Sequence, residues 1–141
     1  MTIDQVYFYL DNNPGELVEV LRLFAREGID MRAYSVAENN EYGVFRMIVR
    51  DPDAAVAALR RGGIDAAKNR VLGIVVPDEP GGTVQAFEAL SQAGINVEYT
   101  YAFALAGSGQ AVLLLRVDDN ARAEALLSGA GIALAQHREI F

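Results

Sequence analysis

The chain has 141 residues, 52% of them hydrophobic, with no cysteine and a formal net charge of −7. That apolar share supports a packed core and argues against disorder, while the missing cysteines exclude a disulfide framework, a thiol nucleophile and a thiolate metal site. The acidic balance disfavours nucleic acid, whose phosphates call for a basic surface. No apolar run reaches the roughly 18 residues that span a bilayer, and the opening Met-Thr-Ile-Asp-Gln lacks the features of a signal peptide. The expectation is a soluble, cytoplasmic protein without membrane or nucleic-acid partners.

In chain order, Val6 to Leu10 is β-branched and aromatic and predicts a strand. Asn13 then suits a helix N-cap, Pro14 the first helical position and Glu16 the third residue of a capping box. Leu17, Val20, Leu21 and Phe24 follow on one helical face, and Gly28 ends the helix. Met31 to Glu38 predicts a second strand, Asn39-Asn40 a hairpin turn, and Gly43 to Arg50 a third strand. Asp51 caps a short helix with Pro52 at its start, Gly62-Gly63 stops it, and Ala66 to Asn69 supplies a fourth strand. The order then recurs. Leu72 to Val76 reads as strand, Pro80 to Ala93 as helix, Val97 to Leu105 as strand and Ala106 to Gly109 as turn. Ala111 to Val117 is strand, Asn120 to Ser128 helix with Asp118-Asp119 at its start, and Leu134 to Phe141 the last strand.

The recurrence extends to residue identity. At an offset of sixty-six positions (80 − 14 = 66), Pro14-Gly15 falls on Pro80-Gly81 and Gly28-Ile29-Asp30-Met31 on Gly94-Ile95-Asn96-Val97. In the same register Arg50 meets Arg116, Asp53 meets Asp119 and Gly63 meets Gly129. Such self-similarity marks one duplicated supersecondary unit. The expected domains are residues 1–69 and 70–141. The expected class is α+β: two tandem ferredoxin-like βαββαβ units, each an antiparallel sheet with helices on one face. On the third strand Phe45, Met47 and Val49 share one face, matching Ala111, Leu113 and Leu115. The opposite face carries Val44 and Ile48, matched by Val112 and Leu114. A face open to water alternates polar residues, so both faces are expected to be covered.

DNNPGELVEVLRLFAREGIDM resembles the opening of an ACT domain, and VPDEPGGTVQAFEALSQAGINV resembles a second one. The resemblance covers essentially the whole chain as two tandem copies. It implies a stand-alone regulatory module that binds a small amino acid or related metabolite between ACT units, with no catalytic residues and no cofactor. By the same resemblance, the ligand-binding groups in the first copy are Asn12, Asn13, Pro14, Gly15, Glu16, Asp30 and Met31. In the second copy they are Asp78, Gly81, Gly82, Asn96 and Val97. The chemistry suits the assignment. The first turn of a helix offers unpaired N–H groups to a ligand carboxylate, and glycine permits close approach. Asp30 or Asn96 accepts hydrogen bonds from a ligand ammonium. Asp78-Glu79 would repel an anion where the first copy has Asn12-Asn13, so the two sites are unequal and the first turn is the better carboxylate site.

Each reading competes with a plainer one. A capped helix needs no ligand, a loop Asx bonds its own backbone, and strand aromatics such as Tyr34, Tyr42, Tyr99 and Tyr101 are more often packing. The single histidine, His137, has no cysteine or histidine companion for a metal, and no serine has a base and orienter set. Gly107-Ser108-Gly109 is no dinucleotide fingerprint. The partners implied are an amino-acid effector, a second copy in a homodimer and a partner enzyme. The alternative is a regulatory subunit of an amino-acid metabolic enzyme with no small ligand of its own.

Overall fold

The computed structural model describes residues 2–11, 13–38 and 41–141; the expected Asn39-Asn40 turn and the candidate Asn12 lie outside the described residues. The described chain forms two units, one of Asp4–Asn69 and one of Arg70–Phe141 joined by the N-terminal residues up to Ile3.

In the first unit, β1 (Ile3–Asp11) and β2 (Met31–Glu38) flank β3 (Tyr42–Val49), and both pair with it antiparallel. The helices α1 (Glu16–Glu27) and α2 (Pro52–Arg61) supply the residues that bury one sheet face. The register sets Phe8 against Phe45 and Val6 against Met47. Phe8 and Phe45 stack with centroids 4.9 Å apart, and Phe24 from α1 meets both edge-on at 6.2 and 5.7 Å. All three are buried. Beneath them Gln5, the fully buried polar residue, donates from Nε2 to Asn69 Oδ1 at 2.9 Å. That bond matters because an unpaired buried amide costs about 1–3 kcal/mol.

The second unit contains most of β4 (Ala67–Pro77), with α3 (Val84–Gln92), β5 (Val97–Leu105), β6 (Gln110–Val117), α4 (Asn120–Gly129) and β7 (Ala133–Leu134). Its sheet runs β7-β4-β6-β5, all antiparallel. Its core is aliphatic where the first is aromatic: Leu72, Ile74, Leu90, Leu115 and Leu127 are buried together. Gly73 lies in close contact with Ile3 and Ala135, and a Cβ there would require the end of the Ile3 side chain to move. The face of each third strand turned away from the helices is apolar and buried: Ile48, Val112 and Leu114 are inaccessible and Val44 is half-buried.

Several elements depart from the sequence expectation. The fourth strand at 66–69 and the strand at 72–76 are one continuous strand, β4. The last strand is cut to Ala133–Leu134, and a 3-10 turn follows at His137–Ile140. There Glu139 Oε2 accepts from Gln136 N at 3.0 Å, closing a capping box in place of a ladder. The helix expected from Pro80 begins only at Val84, because Gly81 is left-handed (φ 80°) and Gly82 packs against the backbone of Pro77. On α1, Val20, Leu23 and Phe24 face the core, while Leu17 and Leu21 are exposed.

The sixty-six offset also holds only in part. It relates β1 to β4 and α1 to α3, but β3 and β6 (Tyr42 to Gln110, Val49 to Val117) are sixty-eight apart. The second unit therefore carries two more residues about its hairpin. Phe45, Met47 and Val49 correspond to Leu113, Leu115 and Val117, and the cap Asp51 corresponds to Asp119.

Those two caps are true equivalents. Asp51 accepts from Ala54 N at 3.1 Å and Asp119 from Arg122 N at 3.0 Å. Asp51→Ala and Asp119→Ala are each expected to cost about 1 kcal/mol in urea denaturation. Gly82→Ala is expected to cost more than Gly15→Ala. The first drives a Cβ into the carbonyl oxygen of Pro77, whereas the second meets nothing within 4 Å and suffers only its left-handed φ, a strain of about 1–2 kcal/mol. Equal losses for the two glycines would contradict this packing.

Candidate functional site: paired turns and a charged cleft

The first candidate turn lies between β1 and α1. Its N-cap is Gly15 (φ 89°), and no side chain caps the helix, so Asn13 does not fill that role. Asn13 N instead donates to Asp11 O at 2.9 Å and Glu16 N to Asn13 O at 3.3 Å. Glu16 does reach back, but Oε1 accepts from Asp11 N at 3.1 Å and not from Asn13. The reason is local: only glycine enters the left-handed region without strain, and placing that residue at the cap moves the helix start past Pro14. The second turn repeats the device, with Gly81 left-handed, Gly82 N donating to Glu79 O at 3.0 Å and no side-chain cap on α3. Asp78 and Glu79 flank it, exposed, with Asp78 N bonded to Gly109 O. Electrostatically the first turn is no less acidic, because Glu16 and Glu19 both sit on the first turn of α1.

Asp30 and Met31, and Asn96 and Val97, follow the far ends of these helices. At 1.5 Å per residue, the twelve residues of α1 hold Asp30 about 18 Å from Gly15, and the nine of α3 hold Asn96 about 13 Å from its turn. The structure thus does not bring the turn and the Asx of one unit together. Asp30 lines a cleft of about 270 Å³ with Arg50, Asp51 and Ala58. In the second unit the position of Ala54 is taken by Arg122, whose guanidinium bonds Ala93 O, and that of Ala58 by Leu126.

A larger cleft of about 530 Å³ opens beside the first turn. Tyr7 and Tyr9 of β1, Glu16, Glu19 and Arg26 of α1, and Asp65 before β4 line it. Tyr9 is 59% exposed and meets Tyr7 and Tyr42 edge-on at 6.2 and 5.2 Å. Glu16 is the one candidate residue inside it. Sequence reasoning missed Asp65, although a signal was present: Gly63-Ile64-Asp65 repeats Gly28-Ile29-Asp30. His137 sits in the 3-10 turn with its ring 5.0 Å from that of Phe141, and no metal-holding group of three acidic or histidine residues occurs among the described residues. Among the described residues no helix is long and apolar enough to cross a membrane.

Comparison with known proteins adds the family. The model of the ACT domain pair matches residues 1–138. A solved protein, BT0572 from Bacteroides thetaiotaomicron, is similar at 31% identity over 99% of this chain and 96% of its own, with a TM-score of 0.90. The regulatory subunit of aspartate kinase from Thermus thermophilus, in its ligand-free form, shares the fold at 19% identity and a TM-score of 0.60, covering 92% and 91% of the two chains. The aspartokinase alpha and beta subunits do so at 15% identity and 0.58, over 91% of each. No curated protein matches. Duplicated turns, two βαββαβ units and the full-length match agree, and this chain belongs to the ACT domain pair family.

Proposed function

We propose that this chain is a regulatory protein that binds a small amino acid or a related metabolite where ACT repeats meet, taking residues 1–69 and 70–141 as the repeats. The observation that carries the reading is the pair of left-handed glycines, Gly15 and Gly81. Each stands at the entrance to a first helix with nothing within 4 Å of where a Cβ would be. Open backbone of this kind admits a ligand to the helix N-terminus. Each first helix holds the turn and the Asx of its unit apart, so the turn is the part of the set on which the carboxylate assignment rests. Ligand binding would stabilise one packing of units, and a partner would read that packing.

A second reading is also favoured by an observation. Val18 on α1 and Val84 on α3, equivalent at the sixty-six offset, are 48% and 49% exposed. Paired apolar positions on outward helix faces suit docking to an enzyme, and two of the structural neighbours are named as aspartate kinase subunits. The chain would then be a regulatory subunit of an amino-acid metabolic enzyme with no small ligand of its own, acting as a homodimer in the cytoplasm.

A thermal-melt screen of the protein against the twenty amino acids separates the two. An effector at a hundred times its Kd adds about 2.7 kcal/mol, which raises Tm by roughly 5–10 °C. Gly15→Val is expected to abolish that shift while the unliganded protein still melts cooperatively. No shift with any amino acid, together with co-purification of an enzyme, would move the assignment to the second reading.

A further inference from the structure

We propose that the tyrosine cluster of the first unit, Tyr7, Tyr9 and Tyr42 beside Asp11, binds a small quaternary ammonium cation of the choline type. The site is separate from the turns and the helix-side clefts, and it goes beyond both readings above.

Its placement follows from strand alternation. On β1, Val6, Phe8 and Leu10 enter the core that the helices cover, so Tyr7, Tyr9 and Asp11 stand on the face turned away from α1. The register sets Tyr42 of β3 against Asp11, Val44 against Tyr9 and Arg46 against Tyr7, which brings Tyr42 to the same face. Tyr9 is 59% exposed and Tyr42 38%, while Tyr7 and Val44 are half-buried. The Asp11 carboxylate makes no hydrogen bond or ion pair among the described residues.

Ring geometry and charge select the ligand. Tyr9 stands at 86° to Tyr7 and at 84° to Tyr42, with centroids 6.2 and 5.2 Å away. Faces set at right angles cannot all be met by a flat cation, whereas the methyl groups of a tetrahedral ammonium reach each of them. An aromatic face attracts such a cation within about 6 Å of its centroid. Asp11 supplies the opposite charge at the Tyr9–Tyr42 end. The nearest cation of this row, Arg46, lies four register pairs from Asp11, about 13 Å along the strand.

The second repeat supplies an internal control. The equivalents of Tyr7, Tyr9, Asp11 and Tyr42 are Gly73, Val75, Pro77 and Gln110. An antiparallel sheet of the same order is built there with no ring and no carboxylate at these positions. Folding therefore does not account for the cluster.

The test is an NMR titration of the whole chain with choline and tetramethylammonium, following the rings of its six tyrosines. Tyr7, Tyr9 and Tyr42 are expected to shift, while Tyr34, Tyr99 and Tyr101 stay in place. 3,3-Dimethylbutan-1-ol, the uncharged isostere of choline, is expected to bind about fivefold more weakly, because it lacks the cation–π attraction. Tyr9→Leu is expected to abolish choline binding, and Asp11→Asn to weaken choline without changing the alcohol; unliganded melts confirm that both variants fold. Choline binding is expected to survive Gly15→Val, which separates this site from the first turn. Absence of binding, an alcohol equal to choline, choline binding untouched by Tyr9→Leu, or shifts spread over all six rings would each overturn the proposal. Capture of the chain by phosphatidylcholine vesicles, with free choline leaving the rings unmoved, would overturn it in favour of a lipid headgroup.

Discussion

Everything in both units hangs on one backbone closure, used four times. Gly28-Ile29, Gly63-Ile64, Gly94-Ile95 and Gly131-Ile132 each follow a helix, with the glycine left-handed. In every case the isoleucine N–H returns to the carbonyl five residues back, on Phe24, Leu59, Leu90 and Leu127, at 2.9, 2.9, 2.9 and 3.0 Å. This is a Schellman closure, in which the residue after the glycine packs on the last turn it has just capped. The four acceptor residues are buried core members, and the four isoleucines pack against the same two clusters. A single motif therefore ends the helix, satisfies its carbonyls and delivers the chain to the next segment at a fixed angle. The helix starts have no comparable uniformity: α2 and α4 have aspartate caps, while α1 and α3 have none from a side chain.

That contrast divides the molecule into parts that the two repeats share and parts in which they differ. Helix ends are equivalent across the repeats, and so are the buried sides of the strands. The beginnings of the first helices differ in charge, and the second hairpin is longer by two residues. The first core is built on stacked phenylalanines and the second on leucine and isoleucine. Volume can be redistributed in this way because a core tolerates coordinated apolar change while its pattern is kept.

Much of this was legible in the sequence. The edge strands at 31–38 and 97–105 match the structure to the residue, because Gly-Ile before them and turn residues after them bound them on both sides. Alternation on the third strands was read correctly even at the wrong offset, since sixty-six and sixty-eight differ by an even number and strand faces repeat every two residues. The errors came where local signals competed. Asn13-Pro14 and Glu16 form a plausible capping box, yet the left-handed preference of Gly15 claimed the cap. Leu134 to Phe141 has strand-like apolar residues, but the side chains of Gln136 and Glu139 close on the backbone within four residues. Of the candidate site, the duplicated turns and Gly-Ile-Asx were visible because each is contiguous. The charged cleft was not, as its lining comes from residues 7–10, 16–26 and 62–67, and only folding makes them neighbours.

The four closures have a consequence for how such a protein changes over time. Each is made by backbone bonds and an inward isoleucine, and the residue that comes next, Asp30, Asp65, Asn96 or Ala133, plays no part in it. All four are exposed. Selection can therefore substitute that residue with little penalty to folding. A duplicated chain starts with four such positions, each open to surface change at almost constant stability.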